Sequence, residues 1–154
     1  MVAVDVDAAR LDLARDLGAT HVIDVRDTAD LSTALRGVTP RGLDIVLETS
    51  GRAENLTAAV DSLAPRGRVG IVTFEQGAGG GVTSAQLALG RSVHGIAQGD
   101  AVSPLLLTTL ADLWRAGGFP VDRLVTSYDS DDINQAFDDA AAGRVLKAVL
   151  RFPC

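Results

Sequence analysis

The sequence predicts an α/β fold built on a doubly wound parallel sheet with helices on both faces. Short apolar runs alternate along the chain with segments in which apolar residues recur every three or four positions. Runs of the first kind are typical of buried strands, and the second spacing is typical of amphipathic helices. Regular alternation of the two favours a parallel sheet. With 154 residues, 47% of them apolar, the chain has enough material for one domain's worth of core.

The first predicted strand is Val-Ala-Val-Asp over residues 2–5. An apolar run that ends with an aspartate indicates a buried parallel strand whose last side chain reaches the carboxyl edge of the sheet. Open α/β sheets bind their ligands at this edge. A carboxylate at this edge accepts the hydroxyl hydrogens of an adenosine ribose and repels a 2′-phosphate. Asp5 is therefore predicted to select NAD over NADP. The Gly-x-Gly-x-x-Gly turn that precedes such a carboxylate in dinucleotide folds is not found ahead of Asp5.

The remaining elements follow in alternation. The first half is predicted to contain a helix over 8–17 capped by Asp7, a strand over 21–23, a helix stopped by Pro40, a strand over 43–48, a helix whose inner face carries Leu56, Ala59, Val60 and Leu63, and a strand over 69–74 after a turn at Pro65 and Gly67. The glycine-rich run over 77–81 lacks the Lys-Ser/Thr of a phosphate loop, which favours a flexible connector.

The second half follows the same alternation. It is predicted to contain a strand over 92–97, a helix begun by Pro104 and closed at Gly117, a strand near 123–127, a helix from Ser130 with Ile133, Ala136, Phe137 and Ala140 inward, and a strand over 147–152.

Composition excludes several classes of partner. The net charge is −6 and no cluster of Lys and Arg occurs, so we expect neither nucleic acid nor an anionic membrane as a partner. No apolar run is long enough to span a bilayer and no signal peptide is recognised, so a cytoplasmic location is expected.

His21 and His94 are predicted to be structural, and the single Cys154 allows no zinc cluster within the chain. We therefore predict no catalytic residue and no metal ligand.

Ligand-binding candidates remain at the ends of predicted strands. Asp5 and Arg10 follow the first strand, residues 49–52 follow the third, and Thr73 and Phe74 end the next one. A dinucleotide crosses a doubly wound sheet at these positions.

Several motifs together resemble one enzyme family. They are Val-Ala-Val-Asp at 2–5, Leu-Gly-Ala-Thr-His-Val-Ile-Asp at 17–24, Leu-Asp-Ile-Val-Leu-Glu-Thr-Ser-Gly at 43–51, Gly-Arg-Val-Gly-Ile-Val at 67–72, and tail segments at 94–100, 118–125 and 132–137. The chain resembles the C-terminal, cofactor-binding portion of a zinc-type alcohol dehydrogenase of the medium-chain dehydrogenase/reductase family, with the tail most similar to the aryl-alcohol (benzyl-alcohol) branch. The resemblance implies a Rossmann-type sheet that is incomplete, because its first strand and glycine turn are absent.

The resemblance also implies roles for individual residues around NAD. Asp5 and Arg10 would lie at the adenosine ribose, and Ser50 and Arg52 would flank the adenine. The nicotinamide side would be approached by Val72, Thr73, Phe74, Ile96, Ala97 and Gln98, and Lys147 would reach the pyrophosphate.

The same resemblance divides the chain and limits its activity. Residues 1–97 would form a partial NAD-binding domain, and residues 98–154 a return segment that packs on a GroES-like catalytic domain absent from this sequence. That domain carries the catalytic zinc, so no zinc is expected here. In the complete enzyme, the resemblance implies NAD and a small alcohol or aldehyde as partners, with an aromatic alcohol as the substrate. A homodimer through residues 92–97, or a complementary chain, is expected by analogy.

The leading hypothesis is a truncated NAD-binding part of such a dehydrogenase that is inactive alone and binds NAD weakly. One alternative is a nucleotide-binding module completed by a partner chain, and another is a different adenosine binder such as a methyltransferase. In that family the strand order of the sheet is 3-2-1-4-5-6, and the missing first strand is central. Its two neighbours, the predicted strands at 2–6 and 43–47, are expected to pair directly, to receive a partner strand, or to leave the isolated chain marginally stable.

Overall fold

The computed structural model describes residues 1–73 and 81–153, which form two compact units, Met1–Asp100 and Ala101–Cys154. Every strand pair in the described part is parallel. Among the described residues, no helix has the length and apolar character needed to cross a membrane.

The first unit opens with a strand, helix and strand. β1 (Val2–Asp5) pairs in parallel with β2 (His21–Asp24), and α1 (Ala8–Asp16) connects them. As predicted, the Asp7 side chain caps α1 by accepting hydrogen bonds from the backbone N–H groups of the second and third residues after it. Since the register places Asp5 opposite Asp24, both strands end in a carboxylate at the same edge.

The rest of the first unit is a three-stranded parallel sheet in the order β3-β4-β5. Its elements are α2 (Leu31–Val38), β3 (Leu43–Glu48), α3 (Ala53–Asp61), β4 (Leu63–Ile71) and β5 (Ser92–Gly95), with short 3-10 turns at Val25–Asp27, Ala88–Gly90 and Gln98–Asp100. The core packs α3 onto β4 and consists of Ala59, Val60, Leu63 and Val69.

The start of β4 differs from the prediction. Leu63 was expected on the helix, but α3 ends at Asp61 and Leu63 already pairs with Leu43. The predicted turn at 65–67 is a bulge inside the strand, where the register shifts and Arg66 has a φ of 65°. Gly67 is required in this bulge, since a Cβ at that position would lie 2.6 Å from the Leu43 carbonyl oxygen. The apolar spacing identified a buried residue but assigned it to the wrong element.

No hydrogen-bonded ladder joins β1 to β3 in the described part of the chain, so the two sheets remain separate. An apolar cleft of about 700 Å³ is lined by both strands and contains residues of α2 and α3 as well. We call it the β1–β3 cleft. The lining includes Met1–Val4 from β1 and the residue before it, Leu43–Glu48 from β3, Leu31 and Leu35 from α2, and Asn55 and Ala59 from α3. Of the three alternatives expected for these two edges, direct pairing of β1 with β3 is not seen among the described residues.

The second unit contains α4 (Ser103–Arg115), β6 (Val125–Asp129), α5 (Ile133–Ala141) and β7 (Lys147–Arg151), with 3-10 turns at Val121–Leu124 and Ser130–Asp132. β6 and β7 pair in parallel. Ala136 is buried as predicted, but Phe137 is 69% exposed, Ile133 is 40% exposed and Ala140 is also exposed, which corrects the predicted inward placement of these three residues. The helical spacing was right, but this small unit buries only part of the apolar face.

A hydrogen-bond cluster joins α5 to β6 in the second unit. The Asp139 carboxylate accepts hydrogen bonds from the Tyr128 hydroxyl at 2.7 Å, the Gln135 amide at 2.9 Å and the Arg144 guanidinium at 2.6 Å. The Tyr128 hydrogen bond, followed by that of Arg144, lowers the pKa of Asp139. The same carboxylate raises the pKa of Tyr128.

Leu63→Ala should destabilise the first unit by about 2–5 kcal/mol, because Leu63 is 2% exposed in the core and its truncation leaves a cavity. Leu47→Ala is the matched control, since Leu47 is 59% exposed, and it should change stability by less than about 0.5 kcal/mol. Urea unfolding followed by far-UV circular dichroism measures both, because the single Trp and single Tyr lie in the other unit. Equal losses for the two variants would contradict this packing.

Stability of the second unit should fall in acid. A carboxylate with a lowered pKa in the folded state stabilises the fold above the ordinary Asp pKa of about 3.9, and this contribution disappears as the pH falls through the lowered value. We expect the urea midpoint, followed by Trp114 fluorescence, to drop in that range. Asp139→Asn should flatten the dependence, whereas Asp138→Asn, one residue earlier on the same helix, should retain it. An unchanged acid slope in Asp139→Asn would refute the assignment.

Candidate functional site

The Asp5 carboxylate is held at the end of β1 by its own backbone. Oδ1 accepts hydrogen bonds from the N–H groups of Val6 at 2.7 Å and Asp7 at 2.9 Å. Oδ2 makes no hydrogen bond with any residue that the structure describes. One oxygen thus fixes the orientation of the carboxylate, and the other is available to accept a hydroxyl group.

Arg10 lies in the first turn of α1, directly after the loop that holds Asp5. Its backbone N–H donates to Asp7 at 3.2 Å. Its side chain is exposed, and within residues 1–73 and 81–153 the guanidinium has no hydrogen-bond or ion-pair partner. The structure therefore places a carboxylate and an exposed guanidinium at the same strand-to-helix turn.

Asp24 is a neighbour of Asp5 that the sequence analysis did not select. It lies opposite Asp5 in the β1–β2 register, and Arg26 binds it through Nε at 3.0 Å and Nη2 at 2.6 Å. The Arg26 side-chain hydrogen bond lowers the pKa of Asp24. Its placement at the end of the second strand was the available signal, since the same placement had identified Asp5. With Arg26 paired to it, Asp24 contributes little net charge beside Asp5.

Glu48 organises the loop after β3. It is 6% exposed, and its carboxylate accepts hydrogen bonds from the Ser50 N–H at 2.8 Å, the Gly51 N–H at 3.2 Å and the Ser50 hydroxyl. The Ser50 hydroxyl also accepts from the Asn55 amide at 2.9 Å. Because the hydroxyl proton is already donated to Glu48, Ser50 has no second proton to offer a ligand. Sequence analysis missed Glu48, although it ends a strand as Asp5 does.

Arg52 follows this loop as the residue before α3. Its guanidinium pairs with Glu54, with Nε at 2.6 Å from Oε1, and both side chains are mostly exposed. The pKa of Glu54 is lowered, first by a hydrogen bond from its own backbone and then by Arg52. Arg52 therefore lies at the predicted edge, but its charge is shared with an acidic neighbour.

The ends of β4 and β5 lie beside that loop. The Val72 N–H donates to the Glu48 carbonyl at 3.2 Å, and the Ile96 N–H donates to the Ile71 carbonyl at 2.8 Å. Thr73 is half-buried next to Val72, whereas Phe74 lies outside the described residues. A Cβ on Gly70 would lie 2.5 Å from the Cδ1 atom of Ile96, so a larger residue at position 70 would require the end of the Ile96 side chain to move.

The segment after β5 turns back sharply. Ala97 donates its N–H to the Asp100 carboxylate at 3.2 Å and accepts the Asp100 N–H at 2.9 Å. Gln98 has a φ of 51°, a left-handed conformation that costs a non-glycine residue about 1–2 kcal/mol. The three-residue 3-10 turn therefore sets the backbone at Gln98 relative to the strand end.

The predicted site residues thus fall into three groups. Asp5 and Arg10 lie at the carboxyl edge of the β1–β2 sheet. Ser50, Arg52, Val72, Thr73, Ile96, Ala97 and Gln98 follow the carboxyl ends of β3, β4 and β5. Lys147 belongs to the second unit, where it begins β7 with an exposed side chain.

The residues described do not fit a catalytic zinc ion. Zinc sites use three or four Cys, His or carboxylate ligands. Among residues 1–73 and 81–153 no group of three such side chains comes together. His21 hydrogen-bonds Thr20 at 3.0 Å and His94 hydrogen-bonds Ser92 at 2.9 Å, on separate sheets.

Comparison with known proteins identifies the family. A family model described as zinc-binding dehydrogenase matches residues 1–112. Geraniol dehydrogenase of Castellaniella defragrans is 34% identical over 99% of this chain and 41% of its own length. Alcohol dehydrogenase class-3 of Myxine glutinosa is 32% identical over 98% of this chain and 41% of its own length.

Solved structures give the same result. An alcohol dehydrogenase zinc-binding domain protein from Burkholderia ambifaria superposes with a TM-score of 0.93 at 38% identity, over 99% of this chain and 42% of that one. Benzyl alcohol dehydrogenase from Acinetobacter calcoaceticus superposes with a TM-score of 0.92 at 35% identity, over the same shares. The chain spans about two fifths of the length of the relatives it matches. The predicted Rossmann-type fold and the predicted resemblance are confirmed, and the chain belongs to the zinc-binding dehydrogenase family.

Proposed function

We propose that this chain binds the adenosine half of NAD and is the cofactor-binding part of a zinc-type alcohol dehydrogenase. The observation that carries the proposal is Asp5, whose Oδ1 is fixed by two backbone N–H groups while Oδ2 has no partner in the described part of the chain. A carboxylate fixed in this way is suited to accept ribose hydroxyl hydrogens without rearranging on binding.

Arg10 and the loop after β3 complete the proposed adenosine site. Arg10 presents an exposed guanidinium in the first turn of α1. Arg52 is proposed to flank the adenine beside the loop that hydrogen-bonds to the Glu48 carboxylate. We assign Ser50 the role of a loop-forming residue, because its hydroxyl is already bonded to Glu48 and Asn55. Val72, Thr73, Phe74, Ile96, Ala97 and Gln98 are proposed for the nicotinamide side.

In the complete family enzyme, we propose, hydride passes between an alcohol carbon and the nicotinamide, and an aromatic alcohol is the substrate class. The name of the benzyl alcohol dehydrogenase structure supports that class. A different adenosine binder, such as a methyltransferase, is separated from this proposal by titration with S-adenosylmethionine, which should not compete with NAD.

Asp5→Asn should weaken NAD binding about 10–100-fold, because a charge-assisted hydrogen bond contributes about 1.5–3 kcal/mol. Asparagine retains the oxygen that accepts the Val6 and Asp7 N–H groups, so the loop should persist. The ratio of the NADP and NAD dissociation constants should also fall, since the charge that repels a 2′-phosphate is gone. Calorimetric titration measures both quantities.

Asp12→Asn is the control for that titration, since it removes the same charge from the exposed face of α1. It should leave both nucleotide affinities unchanged.

The chain without substitutions should bind NAD more weakly than low-micromolar, because no Gly-x-Gly-x-x-Gly turn is present to hold the pyrophosphate. Low-micromolar binding, or equal effects of the two variants, would count against the proposal.

The chain alone should not oxidise benzyl alcohol with NAD, even with zinc added, because its described residues do not gather a zinc ligand set. The absorbance of NADH, followed over time, measures this, with a complete benzyl alcohol dehydrogenase as the positive control. NADH formation that depends on both alcohol and chain would overturn the assignment of a cofactor-binding role only.

A further inference from the structure

The ion pair between Asp24 and Arg26 lies beside the proposed ribose site. The β1–β2 register pairs Asp5 with Asp24, and adjacent strands of a sheet lie about 4.8 Å apart. Paired residues of parallel strands direct their side chains to the same face of the sheet, so the two carboxylates are neighbours at one edge. Asp24 therefore lies next to the residue to which we assign the ribose hydroxyls.

The two carboxylates differ in their partners. Arg26 binds both oxygens of Asp24, because Oδ1 accepts hydrogen bonds from the backbone N–H at 2.9 Å and from Nε at 3.0 Å, and Oδ2 accepts one from Nη2 at 2.6 Å. Oδ2 of Asp5 has no partner in the described part of the chain. The Asp24 side chain is 18% exposed and that of Arg26 is 59% exposed, so the carboxylate is mostly covered while the guanidinium reaches solvent.

A short turn fixes this ion pair at the end of β2. Val25–Asp27 form a 3-10 turn that the Asp24 side chain caps, and the Thr28 hydroxyl donates to the Asp24 carbonyl at 2.8 Å. The carboxylate thus binds both the backbone and the side chain of Arg26. This double attachment determines where the cation lies relative to the strand end.

The charge of Arg26 acts on the β1–α1 loop. The pKa of Arg26 is raised first by its side-chain hydrogen bond with Asp24 and then by the Coulomb attraction of that carboxylate, with smaller contributions from Asp27 and Asp7. Asp7 caps α1 and donates its N–H to Asp5. A guanidinium that interacts with Asp7 also acts on an anion bound at the neighbouring Asp5.

An arginine at this edge matters for the choice between NAD and NADP. Dinucleotide folds that accept NADP place an arginine near the 2′-phosphate, and those that prefer NAD place a carboxylate at the same ribose. This edge carries both kinds of residue, but a second carboxylate already binds the guanidinium of Arg26. A guanidinium that donates two of its nitrogens to a carboxylate has fewer donors for a phosphate, and its charge is offset.

We propose that Asp24 is a positioning residue for nucleotide selection, which holds the Arg26 guanidinium away from the 2′-phosphate site and so strengthens the preference for NAD that Asp5 creates. Asp5 repels the phosphate, and Asp24 withholds the cation that would attract it. The inference rests on the proposed NAD-binding function and adds to it a second determinant of cofactor specificity on the neighbouring strand.

Asp24→Asn tests the role of the carboxylate. Asparagine keeps an oxygen that accepts the Arg26 backbone N–H, so the turn should persist, but it no longer holds the guanidinium by charge. The ratio of the NADP and NAD dissociation constants should fall about fivefold, the gain expected from an exposed ion pair with the 2′-phosphate. Affinity for NAD should stay unchanged, unlike in Asp5→Asn. Amide chemical-shift titration of the labelled chain with each nucleotide measures both constants, even where binding is weak.

Arg26→Gln separates release of the cation from loss of a negative charge. Combined with Asp24→Asn, it should return the ratio to that of the chain without substitutions, because no guanidinium remains to bind the phosphate. Arg26→Lys in the same combination should keep part of the gain, since lysine retains the charge without the fork. A double variant with Arg26→Gln that keeps the full gain in NADP affinity would contradict the proposal.

Arg26→Gln alone should raise the ratio, because Asp24 then adds an unpaired carboxylate beside Asp5. Its side chain is 59% exposed, so this variant decides the outcome if circular dichroism shows that Asp24→Asn fails to fold. A ratio that stays the same or falls in folded Arg26→Gln would show that the pair has no part in selection.

Asp12→Asn is the matched control, because it releases Arg15 from an exposed ion pair of 2.6 Å on α1. It should leave the ratio unchanged, and an equal fall in both Asp→Asn variants would trace the effect to net charge and refute the inference. Weaker NAD binding by Asp5→Asn, with unchanged ratios in the Asp24 and Arg26 variants, would overturn the inference alone. Absence of nucleotide binding by the chain without substitutions would overturn the proposed function, and this inference with it.

Discussion

The parallel ladder is the interaction on which this structure depends. Within each sheet it brings the carboxyl ends of the strands to one edge, so polar residues distant in sequence become neighbours. The same ladder is interrupted between β1 and β3, where two sets of backbone groups face a shared apolar cleft. The site and the cleft are therefore two results of one strand arrangement.

Carboxylates at strand ends have distinct tasks in this fold. Asp5 uses one oxygen to fix its own loop and keeps the other without a partner in the described chain. Asp24 is neutralised by Arg26, and Glu48 is buried as the support of the following loop. Chemically similar residues at equivalent positions thus divide into one suited to a ligand and two that serve the structure. Local hydrogen bonds, rather than residue type, make this distinction.

Sequence patterns predicted the fold well where local signals were sufficient. The bounds of β3 and the Asp7 cap of α1 are confirmed, since an apolar run and a capping side chain act within a few residues. The predicted start of β4 was wrong because Leu63 fits a helical spacing. Only its pairing with Leu43 assigns this residue to the strand. The predicted burial of Phe137 was wrong because burial depends on which other elements pack against α5. Glu48 and Asp24 were missed because their partners, rather than their spacing, define them.

The central claim is that Asp5 anchors the ribose of NAD at the end of β1. The most direct measurement is an amide chemical-shift titration of the ¹⁵N-labelled chain with ADP-ribose, which carries both riboses without the nicotinamide. The account predicts the largest shifts at Val6 and Asp7, whose N–H groups bond to the Asp5 carboxylate, and at Arg10. Shifts confined to residues 101–153, with those amides unmoved, would contradict it.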